Sequence, residues 1–117
     1  SGTSRRGEQV DRTSVVAAVQ NYVGHVRRAG IGATRAFVYG SAARGSATPD
    51  SDIDLVVVAP DFDNPTSREP LLTLWRLRAV TDSRIEPYPC GVLQWEQDDS
   101  SAIIETARTE GFEVPLP

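Results

Sequence analysis

Two aspartates separated by one residue are the strongest chemical signal in the sequence. Asp52 and Asp54 come directly before a run of apolar residues that predicts a β-strand. Because successive side chains of a strand point to opposite faces, the two carboxylates share one face. Neighbouring carboxylates repel each other, and burying them without a partner is costly. A divalent cation removes that cost, and oxygen ligands suit Mg²⁺, so the pair predicts a metal site.

A Gly-Ser turn lies upstream of the two aspartates and has the features of a phosphate-binding turn. Gly40 and Ser41 follow a short strand predicted over Arg35–Tyr39. Glycine lets the backbone approach a ligand closely, and a helix that begins at Ser41 would point free N–H groups at an anion. A phosphate site and a metal site within one strand–turn–strand unit indicate nucleotide chemistry.

With this pairing the sequence resembles the DNA polymerase β-like nucleotidyltransferases, and especially their minimal bacterial and archaeal members. The matching motifs are Gly40-Ser41 followed after ten intervening residues by Asp52-x-Asp54, together with Arg44-Gly45, the Ser51–Leu55 run, Ile85–Pro87 and Gly111-Phe112. The resemblance covers most of the chain. It implies the nucleotidyltransferase fold, which agrees with the order of elements predicted below.

The resemblance also implies roles for individual residues. Gly40 and Ser41 would hold the β- and γ-phosphates of a nucleoside triphosphate, with ATP expected. Asp52 and Asp54 would bind metal, with two Mg²⁺ ions expected and Mn²⁺ as an alternative. Glu86 falls where the family places a third carboxylate, which would serve as metal ligand and general base; the alternative is an exposed strand residue. Arg44 would contact phosphate or form a structural salt bridge with a nearby aspartate.

The implied activity is transfer of a nucleoside monophosphate, AMP from ATP, to an acceptor hydroxyl. Similar minimal proteins are antitoxins that AMPylate a HEPN-type toxin. With 117 residues the chain has no visible acceptor-binding domain, so a partner protein or a second copy would complete that site. Two alternatives stay open: a catalytically silent nucleotide- or toxin-binding module, and a nucleotidyltransferase for an aminoglycoside-like small molecule.

The composition fits one globular domain in the cytoplasm. The net charge of −4 argues against nucleic-acid binding over the whole surface, although a local basic patch is not excluded. All twelve basic residues are arginines, so no lysine can clamp a phosphate. Cys90 is the only cysteine, and neither a membrane span nor a signal peptide is visible.

The predicted elements form a two-layer α/β (α+β) domain over residues 1–117, with a small mixed sheet and residues 1–7 as a disordered leader. The predicted order is a helix from about Asp11 to Arg28, strand Arg35–Tyr39, a short helix from Ser41, strand Asp52–Ala59, a helix after Thr66-x-x-Glu69, strand Ile85–Gln94, helix Ser101–Thr109 capped by Asp98–Ser100, and a short strand at Phe112–Val114.

Three packing predictions concern the second half of the chain. Leu71, Leu72, Leu74, Trp75, Leu77 and Val80 give the middle helix a wide apolar face, with Trp75 in the core. Pro87 and Pro89 indicate an edge or irregular strand. Arg76, Arg78 and Arg84 form a basic cluster that is interpreted as a solvated face, with guidance of an acidic partner or RNA as the alternative.

Overall fold

The computed structural model describes residues 11–48, 50–63, 68–97 and 101–117, in which helices flank a four-stranded sheet. The helices are α1 (Arg12–Arg28), α2 (Ser41–Arg44), α3 (Glu69–Arg78), α4 (Val92–Gln97) and α5 (Ala102–Glu110), with a 3₁₀ turn at Pro60–Asp63. The strands are β1 (Arg35–Tyr39), β2 (Ile53–Val58), β3 (Ile85–Cys90) and β4 (Phe112–Glu113).

The sheet is mixed, and its strands lie in the order β3-β2-β1-β4. β1 pairs antiparallel with β2 and with β4, whereas β2 pairs parallel with β3. A parallel neighbour requires a crossover connection, which the segment containing α3 provides. The predicted α/β (α+β) class with a small mixed sheet is confirmed.

α1 covers one face of the sheet because its sequence supplies a cap and an apolar stripe. The Asp11 carboxylate accepts a hydrogen bond from the Ser14 N–H at 2.8 Å, which fixes the helix start where the sequence predicts it. The predicted stripe is buried along its length: Val15, Val19, Tyr22, Val23 and Val26. The Tyr22 hydroxyl donates to the Leu74 carbonyl oxygen at 2.7 Å, so α1 and α3 are joined over this face.

α4 and α5 pack against the opposite face of the sheet, where they form a second, smaller layer. The residues buried there are Phe37, Val56, Val58, Cys90, Trp95, Ile104 and Ala107. The Trp95 ring stacks on the Phe37 ring with the centroids 4.1 Å apart. β2 is therefore covered on both faces, as its run of valines predicts.

β3 is an edge strand, as its two prolines predict. The Ile53 N–H donates to the Arg84 carbonyl oxygen, and this bond together with the register sets which β3 residues face β2. The backbone N–H and C=O groups of residues 86, 88 and 90 point toward β2, so the backbone nitrogens of Pro87 and Pro89 point toward the open edge. Proline has no N–H, but no strand lies beyond this edge to accept a hydrogen bond, so the sheet loses none.

β3 ends at Cys90, so the prediction of a strand as far as Gln94 is wrong. The Asp63 carboxylate accepts a hydrogen bond from the Val92 N–H at 2.9 Å and thereby caps the start of α4. That aspartate comes from the 3₁₀ turn 29 residues earlier, so no local signal marks the change from strand to helix.

α3 buries much less than the sequence predicts, and Trp75 is not a core residue. Leu74 is the one residue of this helix that is fully buried, whereas Leu72 and Trp75 are 55% and 41% exposed. α3 lies over the edge strand, where Leu74 packs into the same core cluster as Ile85. A ten-residue helix turns only one narrow face toward such an edge, so its remaining apolar residues face outward.

Some predicted features lie outside the described residues: the leader at 1–7, Thr66 of the predicted capping box, and the cap predicted at Asp98–Ser100. At α5 the Ser101 hydroxyl accepts a hydrogen bond from the Ile104 N–H, so Ser101 is the N-cap rather than the first helical residue. Among the described residues, no helix has both the length and the apolar character needed to cross a bilayer.

Candidate active site

One corner of the sheet collects the residues that the sequence singles out. Because β1 and β2 are antiparallel, the end of β1 lies beside the start of β2, and β3 starts there too because it runs parallel to β2. Gly40 and Ser41 follow β1, and Glu86 is the second residue of β3. Asp54 is the second residue of β2, whereas Asp52 is an exposed residue just before this strand, which begins at Ile53 rather than at the predicted Asp52. Residues far apart in sequence therefore meet at one corner.

Three side chains form a row across this corner. Asp54 pairs with Tyr39 of β1 on one side and with Glu86 of β3 on the other. Directly paired residues point to the same face, so the two carboxylates and the phenol are neighbours. The next row, which contains Phe37 and Val56, is buried beneath α4 and α5. The acidic row thus lies where the apolar cover of this face ends.

The turn at Gly40 brings the backbone against the Asp54 carboxylate. Gly40 has φ 71° and ψ −149°, a backbone conformation that residues with a side chain rarely adopt. A Cβ atom on Gly40 would lie 2.3 Å from Asp54 Oδ2, which is far inside van der Waals contact. Glycine is therefore required at position 40 for two reasons: the backbone conformation of the turn and the lack of space beside the Asp54 carboxylate.

α2 is a single short turn of helix between two glycines. It begins at Ser41 directly after Gly40, as the sequence predicts, and the Gly40 carbonyl oxygen accepts hydrogen bonds from the Ala43 and Arg44 N–H groups. Gly45 closes it in the left-handed conformation at φ 77°. Arg44 stands at its last position with an exposed side chain.

The electrostatics of the corner are dominated by its negative charge. Burial raises the pKa of Asp54 above its usual value, and the neighbouring carboxylates of Asp52 and Glu86 raise it further. The positive charge of Arg44 acts in the opposite direction. Burial, with help from the Asp54 charge, raises the pKa of Tyr39 to about 12, so this phenol stays protonated at neutral pH.

Glu86 has a basic neighbour that sequence reasoning missed. Arg78 Nη2 lies 3.4 Å from Glu86 Oε1, and both side chains are partly exposed. The predicted basic cluster does not act as a single cationic patch, because Arg84 pairs with Asp82 at 2.6 Å and Arg76 donates to the Thr73 hydroxyl. No short-range pattern links Arg78 to Glu86. The contact follows from the end of α3 lying beside the start of β3.

The donor set of the corner fits a hard divalent cation such as Mg²⁺. Asp52, Asp54 and Glu86 supply only carboxylate oxygens. Burial raises the pKa of Asp54, the charges of Asp52 and Glu86 raise it further, and a bound cation would lower the cost of keeping Asp54 ionised. In the described part of the chain, no three His, Cys, Asp or Glu side chains are gathered closely enough to form a metal site as they stand. Cation binding would therefore need side-chain rearrangement.

The comparison with protein families identifies the class of protein. A model described as "Nucleotidyltransferase domain" matches residues 24–104. This range contains all six candidate site residues, from Gly40 to Glu86. The chain therefore belongs to the nucleotidyltransferase domain family, whose members are transferases of nucleotidyl groups, and the predicted relationship and enzyme class are confirmed.

Solved structures confirm the fold. One neighbour is a Sulfolobus solfataricus protein provisionally assigned as a nucleotidyltransferase, with a TM-score of 0.60, 13% identity and coverage of 86% of this chain and 79% of that one. Another is a chain of a toxin–antitoxin structure determined with AMP-PNP, with a TM-score of 0.55, 20% identity and coverage of 84% and 73%. At these identities the likeness shows the fold alone. No protein of curated function matches the sequence.

Proposed function

We propose that this domain transfers AMP from ATP to an acceptor hydroxyl with the help of a divalent cation. The observation that carries the proposal is the acidic row beside the Gly40 turn, where Asp54 neighbours Glu86 and leaves no room for a side chain at Gly40. Family membership supplies the reaction class, nucleotidyl transfer. The row and the turn offer acidic and phosphate-binding groups at one corner, which is the pairing this reaction requires.

Asp52, Asp54 and Glu86 are the residues that would hold the cation, with two Mg²⁺ ions expected and Mn²⁺ as an alternative. Bound there, the cation would neutralise the phosphate charge and stabilise the entering and leaving oxygens. The raised pKa of Asp54 supports this assignment, because its causes are first the burial of the carboxylate and then the charges of Asp52 and Glu86, and a bound cation would offset both.

The chain's own residues would bind and orient the substrates. The absence of a side chain at Gly40 would let the triphosphate approach the backbone, with Ser41 at the start of α2 as the partner for the β- and γ-phosphates. Arg44 would balance phosphate charge from the end of the same turn. Glu86 would accept the proton of the acceptor hydroxyl as that oxygen attacks the α-phosphorus and pyrophosphate leaves.

The acceptor that we propose is a hydroxyl on a partner protein, such as a HEPN-type toxin, and the place of the reaction is the cytoplasm. One structural neighbour is part of a toxin–antitoxin structure with AMP-PNP, which supports both a protein partner and an adenine nucleotide. The described residues form one small domain around a single sheet, and we propose that a partner protein or a second copy forms the acceptor side.

A catalytically silent binding module is the second candidate, and the contact between Glu86 and Arg78 favours it. That contact engages the expected general base at 3.4 Å. Such a module would bind the nucleotide with Asp52 and Asp54 but would transfer nothing. The two candidates therefore differ in turnover and agree in nucleotide binding.

The first experiment is calorimetric titration of ATP with Mg²⁺ and with EDTA, on the native chain and on Asp54→Asn. Asp50→Asn is the matched control, because it removes an exposed carboxylate four residues upstream. We expect binding that needs Mg²⁺ and is lost in Asp54→Asn alone. Unchanged binding in Asp54→Asn would contradict the proposed site.

The acceptor is tested with ATP labelled at the α-phosphate. Label is expected on a co-expressed HEPN-type protein and should be lost in Asp54→Asn. Label on an aminoglycoside instead would refute the protein acceptor. Tight binding of Mg²⁺ and ATP with no labelled product on either class would favour the silent module.

A further inference from the structure

Arg78 occupies an unusual position, because it closes the open edge of the sheet at the start of β3. Its Nε donates to the Ile85 carbonyl oxygen, and its Nη2 donates to the Ser83 carbonyl oxygen at 2.7 Å. In this strand register the Ile85 carbonyl points toward the open edge, away from β2, so it cannot hydrogen-bond with β2. The Trp75 ring lies against the guanidinium, with its centroid 4.9 Å from Arg78 Cζ. The guanidinium is therefore held in place without any contribution from Glu86.

The contact with Glu86 is much looser than these anchors. Arg78 Nη2 lies 3.4 Å from Glu86 Oε1, whereas charge-assisted bonds of this kind are usually ~2.7–2.9 Å long. The Glu86 side chain keeps 35% of its surface exposed, so it has room to move. In this pair the arginine is the fixed partner, and the carboxylate is the partner that can leave.

On its other side Glu86 faces the acidic row. It pairs directly with Asp54 across the strands. Two carboxylates in neighbouring positions repel, and a fixed positive charge at the sheet edge draws one of them away from the other. A guanidinium stays protonated at any working pH, so this attraction is always present. A cation that needs both carboxylates must compete with Arg78 for Glu86.

We propose that Arg78 is a positioning residue: the counter-ion that holds Glu86 until a divalent cation binds and then releases it to that cation. The inference rests on the proposed function, because it takes Glu86 as the third carboxylate of the cation site. Its consequence is that Arg78 lowers the affinity of the site for cations through Glu86.

The test is a titration with Mn²⁺ alone, followed by electron paramagnetic resonance, on the full chain. Arg78→Gln is expected to bind Mn²⁺ more tightly by roughly two- to fivefold, the range that the coupling of a partly exposed ion pair gives. In a Glu86→Gln background the same substitution should change nothing. Arg76→Gln is the matched control, because it removes an exposed arginine of the same helix that does not contact Glu86.

Unchanged or weaker Mn²⁺ binding in Arg78→Gln would overturn the inference, and so would an increase that persists in the Glu86→Gln background. If Arg78→Gln fails to fold, the native protein still decides the question through the ¹⁵N resonances of the Arg78 guanidinium. Saturation with Mg²⁺ should move them, because Nη2 loses its carboxylate partner. Resonances that stay in place at saturation would refute the exchange.

Asp54→Asn separates this inference from the proposed function. If Asp54→Asn abolishes Mn²⁺ binding while Arg78→Gln leaves it unchanged, the cation site stands and only the role of Arg78 is wrong. If the native protein binds no Mn²⁺, or if Asp54→Asn binds it normally, the proposed cation site fails and the inference fails with it.

Discussion

Substitution of Gly40 by alanine should damage the corner in two ways that can be measured separately. The backbone cost comes from the φ of 71° and ψ of −149°, a region used almost only by glycine, and amounts to ~1–3 kcal/mol. A domain of this size has about 5–15 kcal/mol of stability, so the variant should fold. Its Tm should fall by roughly 4–8 °C for each kcal/mol lost.

The second effect of Gly40→Ala acts on Asp54. The new Cβ would lie 2.3 Å from Asp54 Oδ2, and non-bonded atoms prefer about 3.5 Å or more, so the carboxylate must move by about 1 Å. Displacing a group that orients or supplies metal ligands typically lowers metal affinity by about 10–100-fold. We expect a loss of this size in the affinity for AMP-PNP with Mg²⁺, measured by calorimetry.

Gly45→Ala is the control that separates the two effects. Gly45 also has a positive φ, 77°, at the other end of α2, but nothing lies within 4 Å of the position of its Cβ. It should lower the Tm and leave nucleotide affinity unchanged. If Gly40→Ala binds the nucleotide as well as Gly45→Ala does, the close approach of Gly40 to Asp54 has no role in the site.

Two further predictions concern stability. Leu74→Ala should lower the free energy of unfolding by ~2–5 kcal/mol because Leu74 is fully buried. Leu72→Ala, at a position that is 55% exposed, should change the free energy of unfolding by less than ~0.5 kcal/mol. Urea denaturation measures both values, and equal effects would refute the assigned orientation of α3. Asp54→Asn should raise the Tm at neutral pH. The folded protein raises the pKa of this acid, so folding binds a proton, and native stability falls as pH rises from the unfolded pKa through the folded one. The advantage of the variant should therefore vanish below the unfolded pKa. A native protein as stable as Asp54→Asn at neutral pH would contradict the cost assigned to burying the Asp54 charge beside Asp52 and Glu86.

The parts of the structure that sequence predicts well are those specified by local patterns. The α1 stripe repeats at helical spacing, and all of it is buried. The bounds of β1 were predicted without error, because a loop with two glycines, Gly30 and Gly32, and the Gly40 turn enclose a short, mostly apolar run. Strand alternation predicts that Asp52 and Asp54 share one face. The antiparallel pairing of β1 with β2 was not predicted, because residues 40–52, which connect the two strands and contain α2, are too long to specify a hairpin.

The parts that sequence misses depend on contacts between distant segments. The start of α4 is fixed by Asp63 from another element, so the strand prediction ran on to Gln94. Trp75 looked like a core residue because an apolar residue at helical spacing usually is one, but the edge of the sheet offers too little surface to cover it. The contact of Arg78 with Glu86 had no sequence signal, because the partners of Arg78 are the backbone carbonyls of Ser83 and Ile85 and a side chain of the next strand.

The corner shows why its chemistry and its stability oppose each other. A fold optimised for stability alone would place an apolar pair, rather than Asp54 beside Glu86, at neighbouring positions of two parallel strands. It would also avoid a glycine with positive φ against a half-buried carboxylate. These features destabilise the domain through charge repulsion, burial of charge and loss of backbone restriction. Because the three costs fall at one corner and a bound cation would relieve the two that come from charge, this corner has the properties expected of a functional site.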